Sequence, residues 1–269
     1  MNLSIRDATY NIRVEGQGES ILLLHGFTGD MSTWKHTIRT LSSKWKCVAV
    51  DLPGHGGTIM PDDRKRYSMK EVCRDLKEML DALKIEKAHI AGYSMGGRTA
   101  LSFAHYYPER VSTLILESGS PGLASPKERQ DRIEADEKLA QFIEAEGIKA
   151  FVDKWENISL FKSQKNLSAR IQSDIRTQRL KNHAAGLAES LRGMGTGSQS
   201  SWWDHLSTMK IPMLLLTGEE DEKFCQIADQ MLLKLPHAKK VVFSEAGHAI
   251  HVEQPEKFDT MLMEFLLFG

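Results

Sequence analysis

A chain of 269 residues can bury a substantial core, and it suits one elaborated α/β domain or a core interrupted by an insertion. Its 35 lysines and arginines nearly balance 36 aspartates and glutamates, so no net field favours nucleic acid or an acidic membrane surface, and a small-molecule partner is expected. The three cysteines, Cys47, Cys73 and Cys225, are scattered, odd in number and outside any metal-ligand or C-x-x-C spacing, which fits a reduced compartment better than a disulfide framework.

The start, Met1-Asn2-Leu3-Ser4-Ile5-Arg6-Asp7, lacks an apolar signal core, and no later segment approaches the length of a bilayer span. The expectation is a soluble, cytoplasmic protein, a monomer or weak homo-oligomer, with no membrane or nucleic-acid partner and neither metal nor cofactor. Leu3 to Asp7 and Asn11 to Glu15 have the pattern of an antiparallel edge hairpin. Apolar runs follow at Ile21 to Leu24, Cys47 to Val50, His89 to Ala91, Leu114 to Leu116, Met213 to Leu216 and Val241 to Phe243, with longer amphipathic stretches between them. This rhythm predicts a mostly parallel sheet covered by helices, its strands buried on both faces and its ligand chemistry at the strands' carboxyl ends. Tyr67 to Leu83 and Pro255 to Leu267 have helical spacing. Between Pro121 and His205 the rhythm breaks into a charged, helical stretch. The division expected is a core of residues 1–120 and 206–269 with a helical cap, 121–205, inserted into it.

Within this frame, Gly92-Tyr93-Ser94-Met95-Gly96 follows the run ending at Ala91 and precedes the helix-compatible Arg98 to Tyr106. A strand, a sharp turn and a helix are what a nucleophile elbow requires, and the glycines remove side chains that would clash in the turn. Activating the Ser94 hydroxyl needs a base, and the base needs a carboxylate to fix its tautomer. The last strand leads into Ser244-Glu245-Ala246-Gly247-His248, which makes His248 the base, with His251 its nearest competitor. The run Met213 to Leu216 leads into Thr217-Gly218-Glu219-Glu220-Asp221, and Asp221 is the acid chosen there; Glu117, at the end of the preceding strand, is the alternative. Charge developing on a substrate oxygen needs backbone donors, for which the amides of Met95, after the nucleophile, and Phe27, in Leu24-His25-Gly26-Phe27-Thr28-Gly29, are the candidates. The Gly/Pro-rich turn Asp51 to Gly57 is assigned no chemistry.

Taken in order, HGF, DLPGHG, GYSMGG, the Gly218 to Asp221 loop and Gly247-His248 resemble the α/β-hydrolase superfamily. The resemblance implies its fold: a mostly parallel central sheet flanked by helices, with an inserted helical cap. It leaves the reaction open, because this fold hosts esterases, C-C hydrolases, lyases and haloperoxidases.

Three arginines narrow the chemistry. Arg98 lies in the first turn of the helix after Ser94, where the macrodipole disfavours a cation by roughly 0.3 to 1 kcal/mol; it either faces solvent or is aimed at a substrate carboxylate. Leu167, Ile171 and Ile175 form an apolar helix row that Arg179 extends with a charge, and an inward arginine needs an anion, from the cap or from the substrate. Arg132 has Asp136 at i+4, the spacing of an ordinary surface pair. Tyr93-Ser94-Met95-Gly96-Gly97-Arg98, Ser120 to Leu123, Arg132 with Asp136, Trp155 before Phe161, Arg179, and Gly195 to Gln199 resemble the MenH family, the 2-succinyl-6-hydroxy-2,4-cyclohexadiene-1-carboxylate synthases of menaquinone biosynthesis. That resemblance implies elimination of pyruvate from a polycarboxylate cyclohexene instead of hydrolysis. It also implies binding roles for Arg98, Arg132, Arg179 and Tyr93. Trp155 would wall the pocket or serve as a core aromatic of the cap. Ser200-Ser201 departs from the pattern, where a proline is expected after the glutamine, and bears on loop shape only. The competing reactions are a carboxylesterase or C-C hydrolase working through a Ser94 acyl-enzyme, and a catalytically inactive ligand receptor on the same scaffold. The sequence does not fix whether the three arginines converge; unless Arg98, Arg132 and Arg179 point into one pocket beside Ser94, the polycarboxylate reading loses its main support.

Overall fold

The computed structural model describes residues 1–268. Eight strands form one sheet in the order β1-β2-β4-β3-β5-β6-β7-β8: β1 Asn2–Ile5, β2 Ala8–Glu15, β3 Ser20–Leu24, β4 Lys46–Val50, β5 Ala88–Tyr93, β6 Val111–Glu117, β7 Met213–Gly218 and β8 Ala238–Phe243. The hairpin β1-β2 is antiparallel and joins β4 antiparallel, and every pairing from β4 to β8 is parallel.

Continuously apolar runs follow from the two faces being covered. Side chains alternate across a strand, so Leu22 and Leu24 enter one core cluster while Ile21 and Leu23 enter the other. The first cluster is closed by α2 (Met69–Ala82), which follows α1 (Lys35–Leu41), and by α3 (Met95–Tyr106). In α2 the buried Met69, Val72, Cys73, Leu76, Met79 and Leu80 make one helical stripe. The edge strand β8 departs from the expected two-sided burial: Val242 is 45% exposed, because no strand lies beyond it.

Between β6 and β7 the chain leaves the sheet and forms α4 (Pro126–Trp155), two short 3-10 turns, α5 (Ala169–Leu180) and α6 (Ala184–Met194). Ser125 and Glu128 cap α4 reciprocally, and Gly147, at φ 79°, breaks the helix near its end. Ala140, Ile143, Phe151, Leu187 and Leu191 give these helices their own small core. The helix α6 sits on the 51–57 turn closely enough that a Cβ on Gly54 would lie 2.2 Å from the Gly186 carbonyl oxygen. Trp202, in the segment assigned to the cap, packs into the main core and donates from Nε1 to Ser102 Oγ at 2.9 Å. The apolar row expected in α5 is corrected: Leu167 precedes the helix, Ile171 is 36% exposed, and of its members only Arg179 is buried. After β7 come α7 (Glu222–Leu232), α8 (Ile250–Glu253) and α9 (Pro255–Phe268), the last closing the second cluster with α1.

The β5-to-α3 turn holds Ser94 at φ 51° and ψ −107°, a left-handed conformation costly for a residue with a side chain. The residues two before and two after it must be glycine. A Cβ on Gly96 would stand 2.0 Å from the Leu24 carbonyl oxygen of β3, and one on Gly92 would stand 2.3 Å from the Gly96 carbonyl oxygen. Gly96→Ala is therefore expected to lower stability by about 3 kcal/mol, as overpacking against backbone that cannot yield. A wild-type melting temperature for that variant would contradict the closeness of the turn to β3.

Candidate active site

Three strand ends supply the constellation. His248, in the loop after β8, donates from Nδ1 to Asp221 Oδ2 at 2.6 Å, and its Nε2 accepts from Ser94 Oγ at 2.9 Å. Asp221, after β7, also accepts the Phe224 amide as the N-cap of α7, which orients its carboxylate. His248 is 1% exposed, its ring lying 4.7 Å from Phe224 and 5.3 Å from Tyr93, centroid to centroid. The alternative acid, Glu117, meets the alternative base instead: both its oxygens lie 2.8 Å from His251 Nδ1. The Glu117 backbone carbonyl accepts the Ser94 amide at 2.8 Å, so the same residue ties the elbow to the segment after His248.

The Phe27 loop is stapled to the 51–57 turn. His25 Nδ1 donates to the Gly26 carbonyl at 2.8 Å and its Nε2 accepts the Leu52 amide at 2.9 Å, an arrangement open only to the neutral ring. Asp51 accepts from the amides of Met31 and Gly57 and from Asn11, so the turn without assigned chemistry is an anchor for the loop. A Cβ on Gly26 would come 2.6 Å from the Tyr93 ring, which explains the glycine before Phe27. Phe27 and Met95 both line the Ser94 cavity, and their amides have no acceptor among the described residues.

Behind Phe27, edge-on at 5.6 Å between centroids, lies His55, fully buried and pushed down to about 3 by that burial and then by the neighbouring His25. A histidine whose folded value lies below its unfolded one withholds a proton that the unfolded chain takes up. Its stabilisation is thus present above pH 6.5 and is lost as pH falls from 6.5 towards 3. Burial shifts His25 in the same direction. From His55 alone we expect about 2 kcal/mol of unfolding free energy to disappear between pH 7 and 5. Urea titrations of His55→Gln at the two pH values should show a correspondingly smaller difference; an unchanged difference would contradict it.

The cavity around Ser94 and His248, about 190 Å³, is lined by Trp155, Arg98 and Arg132 as well as by Phe27 and Met95. Trp155 stacks on Phe151 at 5.4 Å and meets Phe27 edge-on at 5.5 Å, so it is both a wall and part of the cap's aromatic packing. Arg98 donates to the Met194 carbonyl and to Gln199 Oε1, each at 2.8 Å, and among the described residues no carboxylate lies within 4 Å of it. Burial and then the charge of Arg132 push it down to about 10, opposed by Asp136, and it stays a cation at neutral pH. The Arg132–Asp136 pair forms at 2.8 Å, but Asp136 is 4% exposed, so this is no ordinary surface pair. Two guanidiniums against one buried carboxylate leave this end of the cavity positively charged.

Arg179 lies elsewhere, so the three arginines do not share one pocket: Arg98 and Arg132 line the Ser94 cavity and Arg179 does not, and the polycarboxylate reading rests on those two. Arg179 is buried with its guanidinium 4.5 Å above the Phe161 ring and donates to Gln164 Oε1 at 3.2 Å. With Tyr93 it lines a smaller cavity whose boundary with the first includes Phe27. The partner expected within the cap is an amide and a ring face, not an acid.

Two contacts escaped sequence reasoning, one of them made by a residue, Gln199, that the resemblance already includes. Gln199 is wholly buried and orients Arg98, while Ser200-Ser201 leaves that contact in place. Glu253 accepts the amides on either side of His248, Gly247 at 2.7 Å and Ala249 at 3.3 Å, together with Ser163 Oγ of the cap at 3.1 Å. Its position five residues after His248 was the available signal, but nothing local distinguishes it from other acids.

A strand-elbow-helix nucleophile with its acid and base on later strand ends of a parallel sheet defines an α/β hydrolase. The profile of the alpha/beta hydrolase fold matches residues 19–255. A Bacillus subtilis protein named "Putative 2-succinyl-6-hydroxy-2,4-cyclohexadiene-1-carboxylate synthase" is 46% identical over 99% of this chain and 98% of its own. MenH from S. aureus superposes with a TM-score of 0.91 at 37% identity, covering 96% of this chain and 97% of that one. A malate-bound thermophilic esterase from Thermogutta terrifontis superposes at 0.86 with 25% identity, covering 99% and 98%. The chain belongs to the α/β-hydrolase fold family and, within it, to the family of the 2-succinyl-6-hydroxy-2,4-cyclohexadiene-1-carboxylate synthases.

Proposed function

We propose that this protein is a carbon-oxygen lyase of menaquinone biosynthesis, eliminating pyruvate from 2-succinyl-5-enolpyruvyl-6-hydroxy-3-cyclohexene-1-carboxylate to give 2-succinyl-6-hydroxy-2,4-cyclohexadiene-1-carboxylate. The observation that carries this reading beyond family membership is the Arg98 guanidinium, half-buried without a carboxylate within 4 Å in the cavity that holds an activated Ser94. An esterase has no need of such a cation, whereas a substrate bearing several carboxylates supplies its counter-ion.

Going from a 3-ene to a 2,4-diene, the ring loses the hydrogen at C2 and the oxygen substituent at C5. Ser94 Oγ removes the C2 proton while passing its own to His248 Nε2, and Asp221 holds the imidazolium that forms. The C–H electrons become the C2–C3 double bond, the C3–C4 pair moves to C4–C5, and the C5–O bond breaks to release the enolate of pyruvate, which is then protonated. C2 adjoins the succinyl carbonyl, so negative charge spreads onto its oxygen, and the Phe27 and Met95 amides are the donors placed to receive it. Arg98 and Arg132 bind one carboxylate beside the nucleophile, Arg179 and Tyr93 another, and Trp155 closes the wall between cap (121–205) and core. The reaction takes place in the cytoplasm and needs neither metal nor cofactor.

The test is the purified protein with the cyclohexene substrate, following pyruvate by coupled reduction and the diene by mass. Equimolar pyruvate and diene are expected. Release of succinate or an alcohol without pyruvate would favour the carboxylesterase or C-C hydrolase reading, in which Ser94 carries an acyl group.

A further inference from the structure

The lysines and arginines that line the Ser94 cavity are Arg98, Arg132 and Lys223, and no acid lines it among the described residues. Arg98 and Arg132 share Asp136 and are already assigned one substrate carboxylate. Lys223 has had no part in the chemistry so far. It stands in the first turn of α7, two residues after Asp221, whose side chain caps that helix. The macrodipole disfavours a cation there, as it does for Arg98 in α3. Glu219, Glu220 and Glu222 occupy the same stretch of chain, yet among the described residues Lys223 Nζ has no carboxylate within 4 Å. It lies instead 5.9 Å from the centroid of the Phe224 ring, and that ring stands 4.7 Å from the ring of His248. Lys223 is exposed where the two arginines are half-buried, so it marks the side of the cavity that opens to solvent. Helix physics and ion pairing both leave this lysine unexplained.

We propose that Lys223 is a catalytic residue whose ammonium pairs with the carboxylate of the enolpyruvyl group, and so with the departing pyruvate. This rests on the lyase reading. The cyclohexene substrate carries carboxylates on ring C1, at the end of the succinyl arm and on the enolpyruvyl group, and the arginines with Tyr93 account for two of these. Exposure decides which acid falls to the lysine. The group that departs must lie towards solvent, beside the cavity's exposed cation, whereas the acids that stay on the diene can sit against the more buried arginines. When the C5–O bond breaks, its electron pair stays on oxygen, so the leaving group holds a carboxylate and an enolate until its methylene carbon takes a proton from water. The ammonium balances one of these charges and keeps its own protons. Because the charge on the group rises from one to two, the ion pair is stronger in the transition state than with bound substrate, and it acts on kcat as well as on KM.

Lys223→Gln is expected to lower kcat/KM for the cyclohexene substrate by about tenfold, with kcat itself down by about threefold or more, the scale of one hydrogen bond to a charged group at a solvent-facing site. Lys223→Arg keeps the charge and should return to within about threefold of wild type. The melting temperature of Lys223→Gln should equal or exceed that of wild type, because a neutral side chain relieves the conflict with the macrodipole, so a loss of rate is separate from folding. Pyruvate added as a product inhibitor should bind Lys223→Gln more weakly by about the same tenfold, while succinate, which probes the other acid positions, should inhibit both proteins alike. Wild-type kcat and KM in Lys223→Gln would overturn the proposal. So would a loss that spares kcat and vanishes in about 0.5 M salt, the mark of long-range steering. Weakened inhibition by succinate with pyruvate unaffected would also overturn it, since the lysine would then serve the succinyl acid. A wild-type protein that releases no pyruvate defeats the lyase reading and this assignment together, whereas equal pyruvate release by wild type and Lys223→Gln defeats the assignment alone.

Discussion

Ser94→Ala is expected to slow pyruvate release by about 10²- to 10⁴-fold, the usual worth of a positioned general base. The binding part should survive, because the arginines and Trp155 do not depend on the hydroxyl, so KM should change little while kcat falls. Removing the side chain also relieves nothing in the backbone: alanine has a Cβ like serine and stays in the same left-handed conformation at φ 51°. Stability should accordingly remain near wild type, and a loss of rate cannot be charged to unfolding. His248 loses only one ring contact in this variant and keeps Asp221 at 2.6 Å. Near-normal pyruvate release from Ser94→Ala would remove the serine from the mechanism and leave His248 or a solvent molecule as the base.

Arg98→Ala should lower kcat/KM by about 100-fold, most of it in KM, as expected for truncating one side of a desolvated ion pair with substrate. Its cost to the free protein is separate. The Met194 carbonyl and Gln199 amide oxygen each lose a donor at 2.8 Å, worth about 1–3 kcal/mol if they remain buried and unpaired. Loss of a cation whose proton affinity is already depressed by desolvation and then by Arg132 offsets part of this. Arg98→Lys would keep the charge but not the planar fork, and should recover less than full affinity. An Arg98→Ala protein that folds and shows unchanged KM would mean that the half-buried guanidinium is structural, and the polycarboxylate assignment would lose its strongest support.

The sheet was legible because its signals are local. Each parallel strand from β3 to β7 contains its predicted apolar run, since covering both faces forces an unbroken run, while the edge strand β8 shows why the same rule fails when one neighbour is missing. Ser94 and His248 were legible from strand-end loops for the same reason. Choosing Asp221 over Glu117 was harder. Glu117 ends β6 and Asp221 follows its parallel neighbour β7, and only the three-dimensional approach of two histidines three residues apart pairs Asp221 with His248 and Glu117 with His251.

The cap was less readable. Leu167, Ile171 and Ile175 have helical spacing, but a chain segment that ends one helix turn and begins another resets the phase, and only Arg179 of that row faces inward. Its partner is a ring and an amide, which no charge pattern announces. Likewise, the separation of Arg179 from Arg98 and Arg132 depends on where Phe27 and Phe161 pack, a tertiary outcome.

The central claim is that a hydrolase-type serine here takes a proton and forms no bond to carbon. Intact-protein mass spectrometry during steady turnover of the cyclohexene substrate tests it most directly. The unmodified mass of the chain is expected while pyruvate accumulates. A mass increment on Ser94 that appears and decays at the rate of turnover would contradict it.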